Sequence, residues 1–384
     1  MKIVEVAEKY YRDVLALSQY AFQYQIPEDR LQDRLKRLDS RKIFGVFDNE
    51  ALCANLHMIP FEVFVAGNKV KMGGIASVAT YPEHRRKGYV KELITSALTY
   101  MKENGYVVSM LHPFQVSFYR KYGWELLSNR LISTLKKEDL KLQIGGYGTI
   151  KRFKKEKHTQ DIEQVYEKFA EKYTGMLVRD TNWWLQSVYS DLHAAVYYEN
   201  EEPTGYILYE VKNSKMIVEE FVPLTNDARI GLWNYICQHD SMINELEMIT
   251  PVDEPLFFTL QEPRINQQFK PYFMVRIVDV EAFLNQYPFN WNNNEELLLK
   301  ITDPYAPWNE KTYVLKNHEV SVVQGNVNQS QTIQMSIQTL SAILFGYKRV
   351  SEMYQLEHIL GEEKAVQQFE NIIPKQKSFF YDFF

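Results

Sequence analysis

The sequence predicts a mixed α/β (α+β) protein of more than one domain, and three features carry that expectation. Residues 43–48 (IFGVFD) and 51–65 are strand-like; Ala66-Gly67-Asn68 marks a turn, and residues 69–80 resume the strand pattern. Such alternation reads as an antiparallel meander. After Pro82 the period changes. Val90, Leu93, Ile94, Ala97, Leu98 and Met101 recur at offsets of three and four, the apolar stripe of an amphipathic helix. A chain of 384 residues also exceeds one ordinary domain; about 150 residues per domain gives two or three.

The remaining elements follow the same logic. Residues 1–6 are strand-like and 7–23 helical. Asn104-Gly105 stops the amphipathic helix, as glycine past a helix C-terminus does. Residues 106–111 (YVVSML) suit a buried strand, which His112-Pro113 breaks. The glycine-rich and basic residues 145–158 read as an exposed connection. Then 162–172 and 181–189 look helical, 194–198, 204–211 and 215–222 strand-like, and 229–239 helical, repeating the order of the first part. The last hundred residues differ. Short strands at 297–302, 312–315, 320–323 and 331–337, with short helices at 339–345 and 350–356, form a separate α+β unit.

Composition narrows the function classes. Net charge is −5 with no long basic run, which argues against nucleic acid as a partner. Cys53 and Cys237 make no disulfide framework, and the eight histidines show no HExxH or close pair, so no metal is expected. The N-terminus lacks an apolar signal region. No run approaches the roughly 18 apolar residues of a membrane span. A soluble, cytoplasmic protein is the expectation.

Chemistry concentrates in residues 71–124. A strand ending in Val78, Ala79 and Thr80 is followed by Arg85-Arg86-Lys87-Gly88-Tyr89-Val90 and then by the amphipathic helix. The first N–H groups of a helix are unpaired, and the helix dipole adds partial positive charge there. Gly88 permits close backbone approach. Three basic side chains complete a site suited to a pyrophosphate.

This run resembles the acetyl-CoA-binding motif of the Gcn5-related N-acetyltransferase (GNAT) superfamily, with Val90 in place of the usual final Gly or Ala. Residues 114–124 (FQVSFYRKYGW) are similar to that superfamily's FY-x-x-x-GF signature. The chain length, the His84-Arg-Arg-Lys-Gly88 loop, the Tyr119–Trp124 segment and the tail together resemble the enhanced intracellular survival (Eis) branch. The resemblance implies tandem GNAT domains followed by a sterol-carrier-protein-like domain: 1–146 catalytic, 147–278 degenerate, and 279–384 carrier-like. Residues 223–231 (PLTNDARIG) stand where a second pyrophosphate loop would be and lack the paired basic residues, which implies one cofactor per chain.

The same resemblance implies the roles of individual residues. Val78, Ala79, Thr80, Arg85, Arg86, Lys87, Gly88, Tyr89, Val90, Lys91, Phe114 and Gln115 would bind acetyl-CoA. Tyr119 would be the general acid, and the terminal carboxylate of Phe384 the base. Phe22 and Tyr24 would line the acceptor cleft, with Tyr24 where some relatives carry an acidic residue. Tyr122 and Trp124 read as core. The expected reaction is direct acetyl transfer, in a ternary complex, to primary amines such as aminoglycosides or other polyamines, by a homo-oligomer that the family likeness makes a hexamer. Two other functions fit: a non-enzymatic carrier of CoA or lipid, and a transferase for a longer acyl chain.

Overall fold

The computed structural model describes residues 3–291, 296–323 and 331–384; Met1 and Lys2 of the expected first strand lie outside the described residues. The first part runs β1 (Ile3–Glu5), α1 (Tyr11–Phe22), α2 (Glu28–Lys36), β2 (Lys42–Asp48), β3 (Ala51–Val65), β4 (Asn68–Thr80), α3 (Tyr89–Glu103), β5 (Val108–Leu111), α4 (Val116–Arg120) and β6 (Glu125–Lys136). Strands β2 to β4 form the expected meander, and β1 pairs antiparallel with β2 at its edge. The predicted stripe of α3 is its buried face, with Leu93, Ile94, Ala97, Leu98 and Met101 each no more than 1% exposed.

The second part repeats that order: β7 (Thr149–Phe153), α5 (Gln160–Ala170), α6 (Thr181–Trp183, continued by one π-turn), β8 (His193–Glu199), β9 (Glu202–Lys212), β10 (Lys215–Pro223), α7 (Asn226–Cys237), β11 (Glu245–Thr250) and β12 (Asn266–Ile277). The expected connection at 145–158 therefore contains an edge strand, β7, paired with β8. Its exposed Lys151 and Arg152 give it the composition of a loop while protecting a sheet edge.

The two parts exchange strands. One sheet of twelve runs β1-β2-β3-β4-β5-β12-β6-β11-β10-β9-β8-β7. The last strand of the second part, β12, pairs with β5 of the first, while β6 of the first pairs with β11 of the second. β12 and β6 pair with each other at the centre. Each half-sheet is thus completed by a strand from the other.

The third part consists of α8 (Val280–Gln286), β13 (Leu297–Thr302), β14 (Thr312–Lys316), β15 (Glu319–Val322), β16 (Thr332–Ser336), α9 (Ile337–Leu344), α10 (Val350–Gln355), β17 (Ile359–Leu360) and α11 (Glu363–Ile372). Its five-stranded sheet is separate. Its core is continuous with that of the first two parts, since Ile337, Leu340 and Ile343 share one cluster with Met110, Val275 and Ile277. No helix among the described residues is long and apolar enough to cross a membrane.

A buried ion pair fastens this third part to the rest. Arg276 of β12 and Asp303, just after β13, are 0% and 1% exposed. Asn309 also donates to Asp303, at 2.9 Å. Arg276 donates to the Tyr122 carbonyl in the turn after α4. Removing one partner leaves a buried charge unanswered, which costs about 3–5 kcal/mol. Asp303→Ala should therefore lower the unfolding free energy by about that much in denaturant titration; a change under about 1 kcal/mol would contradict the role assigned to the pair.

Candidate active site

The site begins where β4 leaves β5. Met72 to Ile75 pair in parallel with Val108 to Leu111, and pairing stops there. On its other side β4 bulges: Asn55 of β3 faces Ala79 while His57 faces Ala76, leaving Ser77 and Val78 opposite a single residue. Ser77 adopts a left-handed φ of 49°, and Asn55 Nδ2 donates to its carbonyl at 2.8 Å. A bulge bends its strand, so β4 splays from β5 and the edge of Val78, Ala79 and Thr80 facing the gap has no strand partner among the described residues. The Thr80 hydroxyl is buried without a protein partner.

The gap leads to the start of α3. Gly88 is the N-cap residue at φ 83°, and no side chain caps the helix. Arg85, Arg86, Lys87 and Gly88 are exposed. Tyr89 and Val90 turn inward and pack partly against the core beside Val78, so the branched side chain at 90 serves packing. Lys91 is exposed on the helix. The loop is thus an open, positively charged set of N–H donors, the physical requirement for holding a diphosphate.

The equivalent opening in the second part is closed. β10 pairs in parallel with β11 from Lys215 to Val218 and shifts register against β9 at Glu219. The Tyr381 hydroxyl occupies that gap, donating to the Phe221 carbonyl at 3.1 Å and accepting from its N–H at 3.2 Å. Helix α7 is capped as well. The Thr225 hydroxyl accepts from the Ala228 N–H at 3.0 Å, Asp227 accepts from the Gly146 N–H at 2.9 Å, and Arg229 is paired with Glu254.

From Tyr381 the chain crosses to the first opening under tight restraint. Arg130 donates to the carbonyls of Phe380 and Tyr381 and lies 3.4 Å over the Tyr272 ring. Tyr272 donates to the Asp382 carbonyl at 2.8 Å. The Asp382 carboxylate accepts from Arg179 Nε at 3.0 Å and from Trp183 Nε1 at 2.7 Å. Arg179 also holds Glu220, at 2.5 Å, and the three side chains are 1%, 2% and 6% exposed. The ring of Phe384 then packs 4.9 Å from Phe61 and 4.9 Å from Phe273. It rests on Gly74, where a Cβ would lie 2.7 Å from the ring.

Tyr119 lies on α4 and is 5% exposed, walled by Phe114, Phe118 and Trp124 at 5.6, 5.1 and 6.3 Å. Burial pushes its phenol up to about 12, so it holds its proton at any ordinary pH. Tyr122 and Trp124 are core residues, 5% and 0% exposed. Phe114 is 73% exposed and Gln115 is the N-cap residue of α4. Phe22 and Tyr24 are exposed at the end of α1. No ring contact among the described residues joins Tyr119 to Phe384. The aromatic chain from the tail ends at His112, 5.1 Å from Phe383, and the chain from Tyr119 ends at Phe114, two residues beyond. Partial burial, with Arg130 and Lys270, lowers the His112 pKa and favours neutral imidazole.

The residues that fix the tail (Arg130, Arg179, Glu220, Asp382 and Trp183) were not expected from the sequence. The pair Gly73-Gly74 inside a strand was the available signal, since glycine there marks close approach of other groups.

Known protein families match all three parts of the chain. Residues 2–127 match a model described as an acetyltransferase (GNAT) domain, residues 175–277 match a second model of that description, and residues 280–381 match a sterol carrier protein domain. The chain belongs to the GNAT acetyltransferases. This GNAT chain is similar to the N-acetyltransferase Eis of Mycobacterium tuberculosis, at 26% identity over 228 residues, covering 55% of this chain and 56% of that relative. The chain thus matches about half the length of those curated relatives. A structure from Enterococcus faecalis V583, called "Conserved Protein of Unknown Function … Probable N-Acyltransferase", superposes with a TM-score of 0.93 at 26% identity, covering 100% of this chain and 99% of that one. Eis1 of Mycobacterium abscessus shares the fold, with a TM-score of 0.83 at 17% identity over 100% of both chains.

The close fit at Gly74 yields a test. Gly74→Ala should displace the Phe384 ring without unfolding the sheet. Misplacement by about 1 Å is enough to cost on the order of 100-fold in turnover. Turnover of amine by folded Gly74→Ala protein within about two-fold of the parent would contradict a functional placement of the terminus.

Proposed function

We propose that this chain is an acetyl-CoA-dependent N-acetyltransferase that acetylates primary amines by direct transfer in a ternary complex. The observation that carries this reading is the continuous path from the unpaired edge of β4 to the uncapped, basic start of α3. The strand edge suits the pantetheine arm and the loop suits the diphosphate. We assign catalysis to residues 1–146, with 147–278 as a second GNAT domain lacking an open site and 279–384 as the carrier-like domain that delivers the terminus.

The amine lone pair attacks the thioester carbonyl, forming the C–N bond. Backbone N–H groups at Val78 to Thr80 meet the oxygen that gains charge; fixed donors aimed at such charge are a large source of rate enhancement. The C–S bond then breaks, and the departing thiolate takes the phenolic proton of Tyr119. The same apolar walls raise the basicity of the thiolate, which favours that transfer. The proton lost from nitrogen passes to the terminal carboxylate of Phe384, directly or through water. Asp191, Glu210 and Glu219 line a 400 Å³ cavity beside Phe383, which supports cationic acceptors such as polyamines and aminoglycosides. A cytoplasmic homo-oligomer, a hexamer in this reading, is checked by light scattering.

Thiol release from acetyl-CoA across a panel of amines tests the proposal. Tyr119→Phe should lower kcat by about 100-fold or more while acetyl-CoA affinity stays within about three-fold. The protonated phenol is the active form, so kcat should show no loss attributable to Tyr119 until pH nears its pKa of about 12. Unchanged kcat in Tyr119→Phe would reject its role as the acid, and no turnover with any amine would reject the transferase itself.

A further inference from the structure

A cavity of 890 Å³ lies along the edge that β3 leaves open. β2 pairs with β3 only as far as Met58. The segment before α6 takes up the edge again where the Val178 N–H donates to the Glu62 carbonyl at 2.8 Å. Ile59, Pro60 and Phe61 lie between these two pairings, and Pro60 has no N–H to leave unpaired. The end of α2 and the first turns of α6 close the hollow.

Cations predominate in its lining, six basic side chains against the three carboxylates Asp33, Glu62 and Asp180. Lys36, Arg37, Arg41, Lys71 and Lys155 line it, and none of the five forms an ion pair among the described residues. Of the three carboxylates in the lining, Asp180 is engaged in capping α6 through the Trp183 N–H at 2.6 Å. Arg37 donates to the Gln186 carbonyl at 2.8 Å. Arg41 has His57 Nδ1 at 3.3 Å as its hydrogen-bond neighbour. Burial, then Arg37 and Arg34, lower its pKa to about 10. A partly buried guanidinium beside other cations favours the arrival of a counter-charge.

The cationic cavity is distinct from the diphosphate loop and adjoins the terminus. Lys71 is near the start of β4 and Thr80 at its end, about 30 Å apart along an extended strand. Phe61 separates the cavity from the terminal residue, with Trp183 at 4.9 Å on one side and Phe384 at 4.9 Å on the other. Ile59 pairs with Gly74, the residue on which Phe384 rests.

We propose that this cavity anchors the acceptor, and that the acceptor is an amine that also carries a carboxylate or phosphate, gripped by Arg37 and Arg41 with Lys36. The assignment rests on the transferase reading above and, among primary amines, favours anion-bearing acceptors over the polyamines and aminoglycosides named there. Arginine presents a planar fork of donors matched to both anions. A plain polyamine would satisfy the acidic cavity alone and leave these cations unanswered.

Calorimetry on the full chain saturated with CoA, using 6-aminohexanoate, hexylamine and 1,6-diaminohexane as probes, tests the inference. The amino acid should bind about ten-fold or more tighter than hexylamine, and its advantage should shrink below about three-fold in a folded Lys36→Gln/Arg37→Gln variant. Equal binding of the three, or tightest binding of the diamine, overturns the inference. Thiol-release assays with the same amines separate the two levels. Acetylation without preference for the carboxylate sinks this inference alone. Selective binding with no acetylation of any amine sinks the transferase reading while anion recognition stands.

Discussion

The backbone edge of β4 beyond Ile75 has lost its strand, and the rest of the molecule is arranged around that loss. An unpaired strand edge must find donors and acceptors somewhere. The bulge at Ser77 creates the edge, and Asn55 holds the bulge in place. β5 ends at Leu111, opposite Ile75, so its pairing with β4 goes no further and the gap stays open to a ligand that can pair with backbone. In the second part the same divergence recurs at Glu219, but the Tyr381 hydroxyl answers both polar groups of Phe221. One architecture, used twice, gives one open edge and one sealed by the chain itself.

Sealing the second edge also positions the chain end at the first. The Arg179–Asp382–Glu220 cluster is buried, and two carboxylates share one guanidinium. With aromatic hydrogen bonds and the two carbonyls held by Arg130, it leaves the last residues little freedom. Preorganisation of this kind places a terminal group without ordering it at the moment of reaction. The third part contributes through its core packing and the Arg276–Asp303 pair, which carries the turn after α4 on the same frame.

Local pattern revealed what local forces build. The stripe of α3, the strand run of β3 and the loop Arg85 to Gly88 were legible because period, turn residues and charge are set within a few residues. β6, β11 and β12 were not. β12 opens with exposed Asn266, Gln267 and Gln268 and contains Pro271, features that argue against a strand; long-range pairing with β6 and β5 overrides them. Helix α2 is short and strongly charged and buries no residue fully, so its periodicity is weak. In the site, Tyr119 and the loop carried a recognisable spacing. Arg179 and Asp382, 203 residues apart, had none, and neither did the cationic cavity, whose lining comes from six separated segments.

The account depends on a single open strand edge per chain that accepts the cosubstrate. Calorimetric titration of the full chain with coenzyme A reads this directly, because stoichiometry counts open sites and needs no acceptor amine. One molecule bound per chain is the predicted result. Two per chain would contradict the sealing of the second edge by Tyr381, and none would contradict the whole reading of the first.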